Sequence, residues 1–139
     1  MNSHIQGVLF DLDGTLLDTA NDLAKALNSV LHTHQLPSLL AEQVRPVAGQ
    51  GCKGLLKLGF NIDEQDTRYP SLCEQFFTFY QMHLLDSSAL FLGMEDVLTY
   101  LESNNIPWGI VTNKPSRFTL PLLNGLKLTE RAACIISGI

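Results

Sequence analysis

The stretch Val8-Leu9-Phe10-Asp11-Leu12-Asp13-Gly14-Thr15-Leu16-Leu17-Asp18-Thr19 decides the fold of this chain. It begins inside an apolar run, Ile5 to Phe10, whose length and composition predict a buried strand. Two carboxylates two residues apart follow that strand, and alternate residues of an extended segment share a face. Asp11 and Asp13 are therefore expected to serve one site at the carboxyl end of the strand, where open α/β sheets bind their ligands.

The paired acids also predict a bound cation. Two carboxylates beside a hydrophobic strand cost free energy unless a cation or a proton offsets their charge. Mg²⁺ is the expected occupant, with Asp11 and Asp13 as its ligands, because it prefers a few oxygen ligands and retained waters. The alternative is an Asx-turn at Asp13-Gly14, since a lone Asp-Gly pair is more often a turn than a catalytic site.

Composition limits the class of protein. The chain has 139 residues, of which 45% are hydrophobic, so its length suggests one domain with a real core. A net charge of −5 and scattered basic residues argue against a nucleic-acid partner. The sequence lacks an export signal and a membrane-length apolar stretch, so we expect a cytoplasmic protein with no membrane partner. Its cysteines, Cys52, Cys73 and Cys134, include no CxxC pair and are expected to be free thiols.

A long helical segment is predicted after the opening motif. Apolar residues recur at helical spacing there: Leu23, Leu27, Val30, Leu31, Leu72, Phe76, Phe77, Tyr80 and Leu84. Asp18 or Thr19 is expected to cap the first helix, and no strand is expected within residues 18–86. This segment is far longer than an ordinary crossover between strands, so we expect it to form a separate lid.

The rest of the chain predicts an α/β core. A short helix around residues 94–101 precedes a strand over residues 106–112, Ser116 is expected to cap another helix, and residues 132–136 form a third strand. Strand, insert, helix, strand, helix, strand is the order of a Rossmann-like parallel sheet. The predicted domains are residues 1–17 with 87–139 as the core, and 18–86 as an inserted all-helical cap.

A second polar segment, Thr112-Asn113-Lys114-Pro115, ends the second long strand. A hydroxyl at the carboxyl end of a neighbouring parallel strand faces the same crevice as Asp11. Its O–H can bond a phosphate oxygen, and the helix that follows offers backbone N–H groups. Taken alone, Thr-Asn at a strand end is more often a cap or a turn.

The string Asp-x-Asp-Gly-Thr-Leu-x-Asp-Thr at residues 11–19 resembles the first motif of the haloacid dehalogenase superfamily of phosphatases, and Thr112-Asn113 resembles its second motif. The resemblance implies an aspartyl-phosphate mechanism with Mg²⁺ as cofactor. The implied roles are Asp11 as nucleophile and metal ligand, Asp13 as general acid/base and metal ligand, and Thr112, Asn113 and Gly14 as phosphate-binding residues.

The resemblance extends to the predicted cap and to particular groups of phosphatases. Arg45 and Lys53 are the candidates in the cap for contacting a substrate carboxylate or sugar oxygen, although solvated surface charges explain each equally well. The chain looks most like phosphoglycolate phosphatases. Residues 108–119 and 126–131 are also similar to N-acetylmuramic acid 6-phosphate phosphatases.

The chain departs from the family pattern near its end. The family uses a third-motif lysine and a fourth-motif acidic pair, whereas this sequence stops at Ile139. Lys114 and Lys127 precede the third predicted strand and are not expected to replace that lysine. We therefore expect an incomplete sheet on the C-terminal side, a truncated form of a longer phosphatase with little activity, and self-association through the unpaired strand at residues 8–10.

Several reactions remain open on the sequence. The expected one is Mg²⁺-dependent hydrolysis of a small phosphomonoester, 2-phosphoglycolate first, through an aspartyl-phosphate. N-acetylmuramic acid 6-phosphate is an alternative substrate. A second class is sugar phosphate isomerisation, as in the related β-phosphoglucomutases, and a third is an inactive remnant that serves as a binding or assembly domain.

Overall fold

The computed structural model describes residues 4–139, and the chain in it divides into two compact units. The first unit contains the residues up to Leu17 together with Ala89–Ile139, and the second is Asp18–Ser88. In chain order the elements are β1 (Val8–Phe10), β2 (Leu17–Asp18), α1 (Ala20–Thr33), α2 (Ala41–Val44), a 3₁₀ helix (Arg45–Gln50), α3 (Gly51–Phe60), α4 (Tyr69–His83), β3 (Ala89–Leu90), α5 (Met94–Ser103), β4 (Trp108–Pro115), α6 (Ser116–Gly125) and β5 (Ile135–Gly138).

A three-stranded parallel sheet, in the order β1-β4-β5, forms the centre of the first unit. Phe10 pairs with Ile110, and Ile110 pairs in turn with Ile135. This architecture confirms the predicted α/β class with a Rossmann-like parallel sheet. Within residues 4–139, β1 has β4 as its one hydrogen-bonded neighbour and therefore lies at an edge of the sheet.

The strands differ from their predicted bounds. β1 begins at Val8 rather than Ile5, since its ladder starts where the Val8 N–H donates to the Pro107 carbonyl at 3.1 Å. β4 continues past Thr112 to Pro115, and its pairing with β5 is irregular between Val111 and Pro115. The strand therefore carries the second polar segment within it rather than ending before it.

Apolar side chains on one face of this sheet are buried under helices of the same unit. Phe10 and Trp108 meet edge to face with their ring centroids 6.0 Å apart. Three apolar residues of α6 are buried: Phe118, Leu122 and Leu123. Burial of this many large side chains supplies most of the stability of such a unit.

The opposite face of the sheet is exposed. Leu9 is 64% exposed, Val111 40% and Ile136 56%. Val111 pairs with Ile136, and Leu9 pairs with Gly109, two residues before Val111, so the three side chains point to one side of the sheet. We call Leu9, Val111 and Ile136 the exposed sheet face.

The two predicted helix caps are only partly as expected. Ser116 is the first residue of α6 rather than its cap, so that prediction is wrong. β4 runs directly into the helix, and the extended Pro115 occupies the cap position. At the start of α1, Thr19 is the cap residue but its side chain makes no cap bond, while Asp18 Oδ1 accepts the Ala20 N–H at 3.3 Å.

The second unit begins with Asp18, the last residue of β2, and continues with helices α1 to α4 and the 3₁₀ helix, so the expectation of no strand within residues 18–86 is wrong at its first residue. The apolar residues predicted to face inward are buried: Leu23, Leu27, Val30 and Leu31 on α1, and Leu72, Phe76, Tyr80 and Leu84 on or just after α4. Phe77 is half-buried. No helix within residues 4–139 has both the length and the apolar character that crossing a bilayer requires.

One buried carboxylate joins the two ends of the second unit. Asp22, in the first turn of α1, is fully buried and accepts hydrogen bonds from the backbone N–H and the hydroxyl of both Ser87 and Ser88, at 2.7–3.1 Å. These serines follow α4. The residues that open and close the unit are therefore held together by a charge-assisted network.

Two of the three cysteines are paired. Cys52 on α3 and Cys73 on α4 form a disulfide, and their Cα atoms are 6.1 Å apart. The prediction of free thiols is wrong for this pair, because spacing along the chain does not show that the two helices lie side by side. Cys134 is free, as predicted, and it is exposed.

Candidate functional site

Asp11 and Asp13 occupy different environments at the end of β1. Asp11 is exposed, and its Oδ1 accepts the Leu12 N–H at 2.7 Å. Leu12 is completely buried and anchors the backbone between the two acids. Asp13 is buried, with 7% of its surface exposed. The Asp11 carboxylate is therefore open to solvent, whereas the Asp13 carboxylate is buried.

A tight loop fixes these two acids. The carbonyl of Leu12 accepts the N–H groups of Leu16 and Leu17, both at 3.1 Å, and the Gly14 N–H donates to the Leu17 carbonyl at 2.9 Å. Gly14 has a φ of 82°, a left-handed conformation that glycine adopts without strain. Because its N–H is engaged inside the loop, the role of Gly14 as a phosphate-binding residue stays a prediction.

The buried partner of Asp13 is Lys114. The Lys114 Nζ lies 3.0 Å from the Asp13 Oδ1, and both side chains are almost completely buried. Burial lowers the pKa of the Lys114 ammonium, and the neighbouring Asp13 carboxylate opposes part of that shift. The ion pair links the end of β1 to the end of β4.

The segment around Thr112 is held by its own hydrogen bonds. The Thr112 Oγ1 accepts the Lys114 N–H at 3.1 Å, and the buried Thr119 donates its hydroxyl to the Lys114 carbonyl at 3.1 Å. Thr112 is buried and Asn113 is exposed. A side chain at Gly138 would collide with the Asn113 carbonyl, so glycine allows β5 to approach this segment.

The structure therefore brings the residues predicted in the first unit to two neighbouring strand ends. Asp13 and Thr112 both contact Lys114, whereas Asp11 and Asn113, which are near them in sequence, are exposed. No role for Lys114 is predicted from the sequence, where it is considered only as a replacement for the third-motif lysine. The signal that could have identified it is its spacing from Thr112, because residues two apart on a strand share a face.

Arg45 and Lys53 lie in the second unit, and each has an acidic partner there. Arg45 Nε and Nη2 bind the two carboxylate oxygens of Asp18, both at 3.3 Å, in a bidentate pair. Lys53 Nζ lies 3.2 Å from Glu64, and the lysine side chain is 68% exposed. Lys53 resembles an ordinary surface charge, whereas Arg45 is oriented by the last acid of the opening motif.

Comparison with known proteins decides the family. The model of the haloacid dehalogenase-like hydrolase family matches residues 8–139. This chain belongs to that family. The predicted resemblance is confirmed, and the aspartates of the opening motif lie within the matched range.

Two curated relatives of this haloacid dehalogenase-like hydrolase carry different names. It is 37% identical over 132 residues to an N-acetylmuramic acid 6-phosphate phosphatase from Pseudomonas putida, covering 95% of this chain and 59% of the relative. It is 38% identical over 133 residues to a phosphoglycolate phosphatase from Xanthomonas campestris pv. campestris, covering 96% of this chain and 60% of the relative. The chain thus spans about 60% of the length of these relatives.

A solved structure shows the same fold. A haloacid dehalogenase-like family protein from Streptococcus pneumoniae superimposes on this chain with a TM-score of 0.81 at 21% identity. The superposition covers 97% of this chain and 62% of the other. This likeness supports the architecture of the haloacid dehalogenase-like hydrolase.

The residues of this hydrolase fit a Mg²⁺ ion in part. Asp11 offers an exposed carboxylate, the donor that a hard cation prefers. Asp13 fits less well, because its carboxylate already has the Lys114 ammonium as a counter-charge. Among the described residues, no group of three or more His, Cys, Asp or Glu side chains is placed to hold a metal. Asp11 is therefore the better of the two predicted ligands.

Proposed function

We propose that this haloacid dehalogenase-like hydrolase is a phosphatase that acts on a small phosphomonoester through an aspartyl-phosphate on Asp11. The observation that carries the proposal is the contrast between the exposed Asp11 carboxylate and the buried Asp13–Lys114 pair beside it. An exposed carboxylate can attack an incoming phosphorus atom, whereas a buried and oriented one is suited to handling protons.

The reaction divides into two balanced steps. In the first, a carboxylate oxygen of Asp11 bonds to phosphorus, the ester P–O bond breaks, and the departing alkoxide takes a proton from the Asp13–Lys114 pair through the Asp13 carboxyl, which leaves the pair one proton short until the second step. In the second, Asp13 takes a proton from water, the water oxygen attacks phosphorus, and the acyl phosphate bond breaks. Inorganic phosphate leaves and the Asp11 carboxylate is restored.

The other residues of the first unit have supporting roles in this proposal. The Lys114 ammonium orients the Asp13 carboxylate and balances negative charge at the site. Thr112 and Asn113 are the proposed donors to phosphate oxygens, and they lie at the carboxyl end of the strand next to β1. When bound, Mg²⁺ reduces the repulsion between a carboxylate and a phosphate dianion, and Asp11 would hold it, with Asp13 as a second candidate.

The proposed substrate is a phosphomonoester that also carries a carboxylate, which fits the names of both relatives. We place 2-phosphoglycolate first and N-acetylmuramic acid 6-phosphate second, since the identities of 38% and 37% do not separate them. Arg45 and Lys53 remain the predicted contacts for such a carboxylate. A cytoplasmic location likewise stays a prediction.

Self-association is part of the same proposal. The free edge of β1 and the exposed sheet face offer backbone groups and apolar side chains to a second copy of the chain. An uncovered edge strand of this kind is a common route to pairing between chains.

The test is a trapping experiment on the 139-residue chain. The wild type is incubated with each ester, with and without Mg²⁺, quenched in acid and examined by intact mass spectrometry and peptide mapping, together with a phosphate assay. A phosphoryl group on Asp11 that Asp11→Asn abolishes supports the proposal. Asp96→Asn, which alters an exposed aspartate on α5, is the matched control.

Three results would overturn it. Phosphate release that Asp11→Asn leaves unchanged would exclude Asp11 as nucleophile. Interconversion of sugar phosphates without release of phosphate would indicate a mutase. No adduct and no turnover with any ester, both from this chain and from one extended to include the third and fourth motifs, each folded by circular dichroism, would indicate a non-catalytic domain.

A further inference from the structure

We propose that Cys52 and Cys73 form a redox-modification site, a reversible disulfide that fastens α3 to α4. Cys52 is the second residue of α3 and Cys73 is the fifth residue of α4. Their Cα atoms are 6.1 Å apart, within the range that a disulfide spans without moving the backbone. The two sulfurs are therefore brought together by the packing of the helices.

Both redox states are compatible with the fold of the second unit. The neighbours of Cys52 on α3, Leu55 and Leu56, are buried, and so are Leu72 and Phe76 on either side of Cys73. This apolar packing holds the two helices in place without a covalent bond between them. Removal of the disulfide is expected to loosen the helix pair rather than unfold it.

Neither cysteine is enclosed in the core. Cys52 and Cys73 are both half-buried rather than enclosed. Cysteines of intermediate exposure react with thiols and disulfides in solution, whereas fully buried ones are inert. The pair thus combines a geometry that favours ring closure with access for a reaction partner.

The bond closes a particular part of the chain. The two cysteines are 21 residues apart in sequence, and the loop between them includes the Lys53–Glu64 ion pair and the Asp66–Arg68 ion pair. Oxidation therefore restrains the connection between α3 and α4, with Lys53 directly beside the bond. In the reduced protein, the disulfide no longer restrains the segment between α3 and α4.

The reaction partner is a low-molecular-weight disulfide of the glutathione class. One protein thiolate attacks this disulfide, which releases one small thiol and leaves a mixed disulfide on the protein. The second protein thiolate then attacks the protein-bound sulfur, forms the Cys52–Cys73 bond and releases the second small thiol. The protein loses two electrons and two protons, and the small disulfide gains them.

The first test is a redox titration of the folded 139-residue chain carrying Cys134→Ser, which removes the exposed third thiol. Samples are equilibrated in glutathione buffers, acid-quenched, alkylated with a maleimide and weighed intact. We expect the number of alkylated thiols per chain to fall from two to zero as the buffer becomes more oxidising. Cys52→Ser and Cys73→Ser in the same background should each show one glutathione adduct instead.

Two results would overturn the proposal. Retention of two alkylatable thiols in the most oxidising buffer would show that the bond does not form. Two separate glutathione adducts on one chain would show that the cysteines react independently. Cys52→Ser with Cys73→Ser in one chain is the folding control, and its circular dichroism should match that of the reduced protein.

A second measurement reports the structural effect. Limited proteolysis between α3 and α4 should be slower in the oxidised protein than in the reduced one, and the double serine variant should follow the reduced protein in both buffers. The melting temperature of the oxidised form should be higher by roughly 10 °C, the order expected for closing a loop of this length. Equal cleavage rates in the two states would contradict the proposed restraint.

Discussion

The ammonium of Lys114 lies 3.0 Å from the carboxylate of Asp13, with 6% and 8% of the two side chains exposed. The two residues are about a hundred positions apart in the sequence, and their contact joins the ends of two neighbouring strands. Because removal of charges from water is costly, each group depends on the other for compensation. The pair is therefore a structural contact as well as part of the proposed active site.

Lys114→Met should destabilise the first unit by about 3–5 kcal/mol, since it removes the ammonium that lies 3.0 Å from the buried Asp13 carboxylate. Urea denaturation followed by Trp108 fluorescence measures the change, because this tryptophan is buried in the same unit. Lys57→Met, an identical change at an exposed position on α3, is the matched control and should alter stability by less than about 0.5 kcal/mol.

The double variant Asp13→Leu with Lys114→Met separates loss of a charge partner from loss of packing. It should recover much of the stability lost in Lys114→Met, because no buried charge remains. Equal stability of Lys114→Met and Lys57→Met would show that the ion pair has no structural role.

Asp22→Asn should lower the stability of the second unit by about 3 kcal/mol. The substitution keeps the shape of the side chain but turns an acceptor oxygen into a donor that faces the N–H groups of Ser87 and Ser88. Circular dichroism in a urea gradient measures the loss. Asp96→Asn occupies the same third position of its helix but is exposed, so an equal effect of the two changes would contradict the assigned network.

Arg131 should stabilise the first unit in a pH-dependent manner. It binds Glu95 and Glu102, and these hydrogen bonds hold the pKa of each carboxyl below its ordinary value of 4.5. A lowered carboxyl pKa contributes stability above pH 4.5 that is lost as the pH falls through the folded pKa. Arg131→Met should therefore cost about 1 kcal/mol at pH 7 and much less at pH 3, a modest figure because the network is solvated.

Paired urea titrations of the wild type and Arg131→Met at the two pH values test this expectation. Glu102→Gln is an informative companion, since it removes the charge but keeps an oxygen that can accept the Trp108 Nε1–H at this site. A stability difference that is the same at both pH values would show that the Arg131 effect is packing rather than charge.

Val111→Lys should suppress the proposed self-association of the chain. The side chain lies in the exposed sheet face with Leu9 and Ile136, so a charge there disfavours burial against a second copy and leaves the core untouched. Sedimentation velocity over a range of concentrations measures the shift from dimer to monomer. Met82→Lys, at an exposed apolar position on α4, should leave the association unchanged, and a wild type that is monomeric at every concentration would contradict the idea.

Much of the fold could be predicted because periodic apolar residues report directly on burial. The helical spacing of Leu27 and Val30 on α1, and of Phe76 and Tyr80 on α4, predicted side chains that are all buried. Strand ends were less accurate, because they depend on neighbours far along the chain. β4, for instance, reaches Pro115 through its pairing with Gly138.

The two acidic residues of the candidate site could be predicted from the sequence, whereas its lysine could not. Asp11 and Asp13 follow directly from a strand and a turn in local sequence, but the environment that distinguishes them is tertiary. Lys114 is recognisable as a partner of Asp13 only once β4 is known to be parallel to β1 and to continue beyond Thr112. The disulfide escaped prediction for a similar reason, since it needs the packing of α3 against α4.

The pairing of Val8 with Trp108 has a consequence for synthesis on the ribosome. β1 is synthesised before its hydrogen-bonding partner β4, which is translated about a hundred residues later, after all the helices of Asp18–Ser88. While those helices are being synthesised, the apolar segment of β1 therefore has no strand to pair with. During this interval, residues 8–10 would be available to chaperones that bind short hydrophobic segments.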